Sequence, residues 1–343
     1  MEKKALIGLT LEQLREVAAE CQLPAFAAKQ MARWLYTARI NNDIDLMTDI
    51  SLRGRERLKE LYTIGRTEPK AAAESRDGTV KFLFDGVGGR DIESVYIPDR
   101  DRATLCVSSQ AGCRMGCTFC MTGLQGFHGQ LTSGAIINQI LSIPQSESLT
   151  NLVFMGMGEP MDNIDNVLRT IDILTAPWGM AWSPKRITVS SIGKIKELRR
   201  LLTETKVHVA ISIHSPYPTE REGLMPVERA YPINDVIALL REFHFAHQRR
   251  LSFEYIMWRG VNDDLRHADA LARLLRGVDC RVNLIRYHAL PDSPLHTASE
   301  GVMTAFRDRL NSLGITATIR TSRGEDIQAA CGMLAGEARK AEK

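Results

Sequence analysis

The stretch Cys113-Arg-Met-Gly-Cys117-Thr-Phe-Cys120 places three thiols in the spacing C-x3-C-x2-C, directly after the apolar run 103–107. Iron–sulfur clusters normally take four cysteines, so three thiolates would leave one iron of a 4Fe-4S cluster open to a substrate. A structural zinc site needs four ligands, and the sequence contains no second C-x2-C pair. Three neighbouring cysteines also cannot all pair as disulfides. The motif therefore predicts an iron–sulfur cluster with an open coordination position.

The composition is that of an ordinary globular protein. The 343 residues carry 44 Lys and Arg against 41 Asp and Glu, so the net charge is only +3. This balance does not indicate a nucleic-acid binder, and any RNA contact would depend on local basic patches. The first residues lack the apolar core of a signal peptide, and no apolar run is long enough to cross a membrane. We expect a cytoplasmic protein without membrane contact, and seven cysteines suit that reducing compartment.

Residues 1–72 are predicted to form a helical accessory domain. Thr10 and Gln13 have the spacing of a capping box at the start of a first helix. Residues 53–60 carry four basic side chains mixed with two glutamates. This pattern fits a solvated helix face as well as it fits an RNA-contacting patch, and both readings stay open.

Residues 73–100 are predicted to form a β-hairpin connector, because Asp77-Gly78 is a turn signal between extended segments. A strand is predicted at 80–84 and another at 91–97, in which Glu93 shares a face with Val95 and Ile97. Either Glu93 reaches water at a strand end, or it is held in a site where its pKa can rise. The spacing alone does not choose between the two.

Residues 101–343 alternate between strand-like and helix-like stretches. Repeated βα units of about thirty residues imply a parallel sheet, and we predict an α/β fold with an incomplete (β/α) barrel. Catalytic groups of such barrels gather at the C-terminal ends of the strands. The predicted strands are 105–108, 152–155, 186–190, 208–213, 251–256, 281–285 and 316–320.

Several polar or glycine-rich motifs follow these strands. Gly156-Met-Gly-Glu-Pro160 is either a ligand-binding loop or simply a tight βα turn. His214 closes another strand, a position that favours contact with a bound cofactor, and Ser190 and Ser212 could serve ribose or carboxylate oxygens. On spacing alone, Cys331 would more often be a small buried residue than a nucleophile.

Six segments together resemble the RlmN/Cfr family of radical S-adenosylmethionine (SAM) adenine methyltransferases, over nearly the whole chain from residue 10. The fold that this resemblance implies is a radical SAM core with a C-terminal catalytic-cysteine loop. The segments are 102–113, 156–160, 253–255, 260–263, 282–285 and 326–332.

The resemblance also implies roles for individual residues. Cys331 matches the cysteine that is methylated and carries the one-carbon unit, Cys106 matches the thiol that resolves the RNA adduct, and Glu93 matches the proton acceptor. The sequence departs from the family at His288, which stands where an asparagine usually contacts SAM. The matching cluster ligands are Cys113, Cys117 and Cys120, and the matching SAM contacts are Gly158, Glu159, Ser190, Ser212, Ile213 and His214.

The implied activity is methylation of adenine C2 in 23S rRNA and in tRNA, at the adenosine 3′ to the anticodon. Two SAM molecules are used per turnover: one methylates the carrier cysteine, and the other yields the radical that activates this methyl group. The adenine must leave its stack to be reached. A flavodoxin or ferredoxin is the expected electron donor, and the expected enzyme is a monomer.

Two alternatives remain. The first is C8 methylation, as in the Cfr branch of the family. Arg323-Gly324 argues against it, because these residues resemble the C2 enzymes. The second is an iron–sulfur electron-transfer or RNA-binding module without catalysis. Cys106, Cys331 and the Gly-Glu turn argue against that module, because it would need none of them.

Overall fold

A computed structural model describes residues 3–245, 249–291 and 293–336, and within these residues ten strands form one mixed sheet. The strands lie side by side in the order β14 (Thr316–Ile319), β13 (Arg281–Arg286), β12 (Leu251–Met257), β11 (His208–Ser212), β10 (Ile187–Ser191), β9 (Asn151–Phe154), β6 (Arg102–Cys106), β5 (Ile92–Asp99), β4 (Val80–Phe84) and β3 (Ala71–Glu74). Neighbours from β6 through β9 to β14 run parallel, whereas β3, β4 and β5 are antiparallel. The first and last strands of this order are not paired with each other, so the sheet is open, as expected for the incomplete barrel that the sequence predicts.

The seven parallel strands confirm the seven predicted ones with small shifts at their ends. Alternate residues along several of these strands are buried, and the buried ones are mainly Val, Ile, Leu and Phe, which fits strands that pack one face against an apolar core. The bounds are β6 Arg102–Cys106, β9 Asn151–Phe154, β10 Ile187–Ser191, β11 His208–Ser212, β12 Leu251–Met257, β13 Arg281–Arg286 and β14 Thr316–Ile319.

Helices connect these strands across the outside of the sheet. Three of them begin with a side-chain cap: Thr132 accepts from the N–H of Ala135, Asp264 from that of His267 and Ser299 from that of Val302. Their bounds are α5 Ser133–Leu141, α6 Ile164–Thr175, α7 Ile195–Glu204, α8 Pro218–Leu224, α9 Ile233–Leu240, α10 Leu265–Leu274 and α11 Glu300–Ser312.

The predicted connector is an extension of the barrel sheet. The strands β3 (Ala71–Glu74) and β4 (Val80–Phe84) form the expected hairpin, and β5 (Ile92–Asp99) pairs with β6. In that pairing Val95 lies opposite Cys106. The turn was predicted, but no bounds were predicted for the strand before it, because the run of alanines there lacks the β-branched residues typical of strands.

The N-terminal part is helical, with one addition. Thr10 and Gln13 form the predicted capping box at the start of α1 (Leu11–Glu20). Two further helices follow, α2 (Ala27–Ala32) and α3 (Leu52–Leu61). A short parallel pair that the sequence did not predict joins the two ends of this part: β1 is Lys4–Ala5 and β2 is Tyr62–Thr63.

The N-terminal part packs directly on the barrel. Ser133 at the start of α5 donates a hydrogen bond to the carbonyl of Gly8 at 2.8 Å, and Asn138 donates to the carbonyl of Thr67 at 3.0 Å. A continuous buried apolar core runs from the N-terminal helices into the barrel. Within the described residues, no helix combines the length and apolar character needed to span a bilayer.

Candidate active site

The three-cysteine motif lies in a loop that two glycines close. The strand β7 (Gln110–Gly112) pairs with β8 (Phe127–Gln130), and the motif and the short helix α4 (Met121–Leu124) lie between them. At Gly112 the φ angle is +72°, and an added Cβ would lie 1.9 Å from the carbonyl oxygen of Gly126. The N–H of Cys113 donates to that same oxygen at 2.9 Å. Only glycine permits this closure, which brings the ends of the loop together.

All three thiols line one cavity of about 160 Å³. Burial raises the pKa of Cys113 to about 12 and that of Cys117 well above its usual value, so both are protonated unless a metal replaces the proton. Among the described residues, no three His, Cys, Asp or Glu side chains converge closely enough to hold a single metal ion. Three soft thiols in one wall suit a cluster instead, since each can ligate a different iron.

The loop after β9 forms one side of the cavity. Gly158 has a φ of +96°, and an added Cβ would lie 2.5 Å from the side chain of Gln110. The Glu159 carboxylate accepts from the N–H groups of Met161 and Ile192, each at 3.1 Å. Burial raises the pKa of Glu159 to about 7 although these bonds favour the ionised form. Glu159 thus ties the loop to β10, and its position in the cavity wall leaves it open to a ligand cation.

The ends of β10 and β11 supply the adjoining side of the cavity. Ser190, Ser212 and His214 line the cavity, whereas Ile213 is fully buried in the apolar core. Burial lowers the pKa of His214 to about 3, so the ring is neutral. Because the N–H of Ile256 donates to Nδ1 at 3.0 Å, the ring proton is on Nε2, where it can be donated to a ligand.

Glu254 on β12 adds a polar group that the sequence analysis did not identify. Its Oε1 accepts from Ser252 and Asn283, while its buried Oε2 has no hydrogen bond. The nearest cation is Arg320, with 3.5 Å between Oε2 and a guanidinium nitrogen. Both residues line the cavity. A buried acceptor without a hydrogen bond is costly in the absence of a ligand donor, so this wall suits a ligand with hydroxyl or amino groups.

A second cavity, of about 300 Å³, adjoins the first. Its wall includes the basic residues Arg102, Arg320 and Arg323, and also His288. The exposed Cys331 lines both cavities. The structure therefore brings Cys331 to the cluster motif, and it places His288 in the second cavity and not among the residues of the first.

Cys106 lies near Cys331 but away from solvent. It ends β6, seven residues before Cys113, and is buried. Burial, and next the neighbouring Cys331, raise the pKa of Cys106 to about 12. The pair is reduced in this structure. The Cys106 thiolate could form a disulfide with Cys331 when the Cys331 sulfur carries a group that leaves as the new S–S bond forms.

Glu93 is buried near the start of β5, with 8% of its side chain exposed. Its Oε1 lies 2.9 Å from the ammonium group of Lys81, and its Oε2 accepts from the N–H groups of Ala335 and Gly336 at 2.8 and 3.1 Å. Of the two readings left open by the sequence, the enclosed site is confirmed and escape to water is wrong.

A buried ion pair stabilises the ends of the strands that form the cavity wall. Arg221 is fully buried and pairs with Glu228, and it donates to the carbonyls of Ile192, Ser212 and Ile213 at the ends of β10 and β11. No pattern in the sequence predicted this pair, because a charged residue in a polar helix normally faces water.

Two family models match the chain. The model described as "Radical SAM superfamily" matches residues 107–272. The model described as "Ribosomal RNA large subunit methyltransferase N-terminal domain" matches residues 4–64.

Similar proteins cover the whole chain. A protein of Parabacteroides distasonis named "Probable dual-specificity RNA methyltransferase RlmN" is 56% identical over 97% of each chain. A protein of Syntrophotalea carbinolica named "Dual-specificity RNA methyltransferase RlmN" is 40% identical over 97% of this chain and 90% of its own length. The crystal structure of a radical SAM methyltransferase from Sphaerobacter thermophilus superposes with a TM-score of 0.90, at 39% identity over 96% of this chain and 99% of that one.

Proposed function

Because this chain belongs to the RlmN family of dual-specificity radical SAM RNA methyltransferases, we propose that it methylates adenine C2 in 23S rRNA and tRNA through the Cys331 thiol. The observation that carries the proposal is the position of Cys331 between two cavities, one lined by the three-cysteine motif and one lined by arginines. A thiol that carries the methyl group must contact both the methyl donor and the RNA base, and the position of Cys331 between the two cavities allows both contacts.

The cofactors of the family are a 4Fe-4S cluster and SAM, with two SAM molecules used per cycle. We assign Cys113, Cys117 and Cys120 as the cluster ligands. Bound there, the cluster and SAM supply the carbon radical that activates the methyl group. The chain's own residues position the nucleoside part of SAM. In the wall of the first cavity, His214 offers an N–H donor and Glu254 offers an acceptor without a hydrogen bond.

Three side chains carry the group transfer in this proposal. Cys331 loses its proton and takes a methyl group from SAM at sulfur, with S-adenosylhomocysteine as the leaving group. After this methyl group has lost a hydrogen atom, its carbon joins C2; the adduct then loses one electron, which the cluster would accept, and Glu93 accepts the proton that leaves C2. Cys106 then attacks the sulfur of Cys331, so the bond between that sulfur and the transferred carbon breaks and a Cys106–Cys331 disulfide forms, while the carbon keeps the bonding electron pair and takes a proton, which completes the methyl group on C2. An external thiol reductant restores both thiols.

The second cavity is the proposed site for the target adenine. Arg102 and Arg323 lie in its wall and suit contact with RNA phosphates, while Ile97 and Val153 offer apolar surface for an unstacked base. A role of the N-terminal domain in RNA binding stays a prediction. Ion pairs within α3, such as Arg57 with Glu60, favour its reading as a solvated face. A flavodoxin or ferredoxin donor and a monomeric enzyme rest on the family resemblance.

The deciding experiment is base analysis of RNA from a strain that lacks the gene, complemented with the wild type or with Cys331→Ala. We expect 2-methyladenosine in 23S rRNA and tRNA with the wild type and none with the variant. The appearance of 8-methyladenosine instead would overturn the C2 assignment, and methylation of rRNA alone would overturn the dual specificity.

A further inference from the structure

The segment that carries Cys331 is anchored where it begins. After β14, the N–H of Gly324 donates to the Asp77 carboxylate at 3.0 Å. The carboxylate of Asp326 accepts from the Ser75 hydroxyl at 2.5 Å and from the N–H of Arg76 at 3.2 Å. The partners of these hydrogen bonds, Ser75, Arg76 and Asp77, all belong to the turn between β3 and β4. The hairpin therefore holds the start of the segment.

The segment is anchored again where the described residues end. The carbonyl of Leu334 accepts from the buried hydroxyl of Thr122 at 2.6 Å. The N–H groups of Ala335 and Gly336 both donate to Glu93. At Gly336 the φ angle is +62°, and an added Cβ would lie 2.2 Å from the carbonyl oxygen of Asp91. The backbone of the segment therefore packs directly against β5, and Glu93 is the anionic group that receives it.

Proton uptake by this carboxylate is incompatible with these contacts. A proton on Oε2 would face two N–H donors, and a proton on Oε1 would face the ammonium group of Lys81. Hydrogen bonds to an ionised group are about twice as strong as neutral ones. Neutral Glu93 would thus hold the N–H groups of Ala335 and Gly336 much more weakly than the carboxylate does.

We propose that Glu93 is the latch of the Cys331 segment, and that the latch opens when Glu93 takes up the proton from substrate. This proposal rests on the proposed function, in which Cys331 must meet SAM, the base and Cys106 in turn. The C–H bond at C2 breaks, its proton passes to the carboxylate, and the two backbone N–H groups lose their anionic acceptor. The freed segment can then carry the Cys331 sulfur to Cys106, so proton removal and resolution occur in order.

Two substitutions separate the charge from the packing. Glu93→Gln imitates the neutral acid with almost the same shape, whereas Gly336→Ala disturbs the docking on β5 and leaves the carboxylate intact. Glu74→Gln serves as the matched control, because it removes the same charge from an exposed position on β3. Each protein is prepared with its cluster, and its thermal unfolding is recorded to show that it is folded.

The measurements are amide hydrogen exchange at Ala335 and Gly336 and the rate of alkylation of Cys331, read by mass spectrometry of its peptide. Loss of charge-assisted hydrogen bonds should accelerate both by about tenfold or more in Glu93→Gln and in Gly336→Ala. Glu74→Gln should match the wild type.

Exchange and alkylation rates in Glu93→Gln equal to those of the wild type would overturn the latch. RNA methylation by the wild type, assayed on the same preparation, tests the proposed function separately. A wild type that methylates no RNA would overturn that function and the release step, whereas accelerated exchange in Glu93→Gln would still support the latch.

Discussion

At the scale of single residues, the two thiols outside the cluster motif differ in access to solvent. Cys331 is exposed between two cavities, and Cys106 is buried at the end of β6. A thiolate is the reactive form in methyl transfer and in disulfide exchange. The exposed thiol suits the role of carrier, which meets large partners. The buried thiol suits the role of resolving group, which must react only with its neighbour.

The replacement Cys106→Ala should stop the reaction after the carbon has joined the RNA. The bond between the Cys331 sulfur and that carbon then has no thiol to break it. We expect a protein–RNA adduct that survives denaturation and is reduced by nuclease digestion to one modified adenosine on the Cys331 peptide. The double variant Cys106→Ala, Cys331→Ala should form no adduct, and normal turnover by the single variant would assign resolution to another group.

Resolution should also accelerate with pH. Because burial raises the pKa of Cys106 to about 12, the thiol form dominates at pH 7, and each added unit of pH below 12 increases the thiolate about tenfold. The decay of the wild-type adduct in a single turnover should therefore become up to about tenfold faster per unit between pH 7 and 9. The residual decay in Cys106→Ala should not follow this slope. A flat wild-type profile would show that another step, or a different thiol, limits resolution.

The three cysteines of the cluster motif could be predicted from their spacing alone, whereas Cys106 and Cys331 were assigned by the family resemblance; spacing alone favoured a buried Cys331, which is exposed. The roles of Lys81 and Gln110 could not be predicted from the sequence. Lys81 reaches Glu93 only through the register of β4 on β5, and Gln110 meets the loop after β9 only once the barrel has formed. The second cavity was missed for the same reason, since its walls come from strands far apart in the chain.

At the scale of secondary-structure elements, the loop after β9 is held tightly in the wall of the first cavity, which is the proposed SAM site. The positive φ of Gly158 and its contact with Gln110 leave no room for a side chain. Gly158→Ala should lower the free energy of unfolding by about 1–3 kcal/mol and weaken SAM binding at least tenfold. Denaturant unfolding and equilibrium dialysis measure the two effects. Gly301→Ala in α11, where nothing lies within 4 Å of an added Cβ, is the control.

Unchanged SAM affinity in Gly158→Ala would remove this loop from the binding site.

The parallel strands were predicted to within a few residues, because each is a short apolar run between turn signals. The pair β1–β2 was not, since two-residue strands carry no periodicity that a sequence could reveal.

At the scale of the whole molecule, the open barrel and the three-cysteine loop predict a cluster that depends on all three thiols. Reconstituted wild type should hold about four irons and four sulfides. Replacement of Cys113, Cys117 or Cys120 by Ala should lower the iron content and abolish reductive cleavage of SAM. Iron analysis and the release of 5′-deoxyadenosine measure these effects. Cys280→Ala, remote from the motif in the chain, should match the wild type, and full cleavage activity in any of the three variants would refute the assignment.

The anchoring of the Cys331 segment also has a consequence for biosynthesis. Ser75 and Asp326 are separated by 251 residues, and Glu93 and Ala335 by 242. At translation rates of about 5–20 residues per second, the hairpin leaves the ribosome roughly 10 to 50 s before its partners do. Closing so long a loop adds little entropy cost, since each doubling of length costs about 0.6 kcal/mol. The nascent chain can thus complete the cluster loop well before it positions the thiol that carries the methyl group.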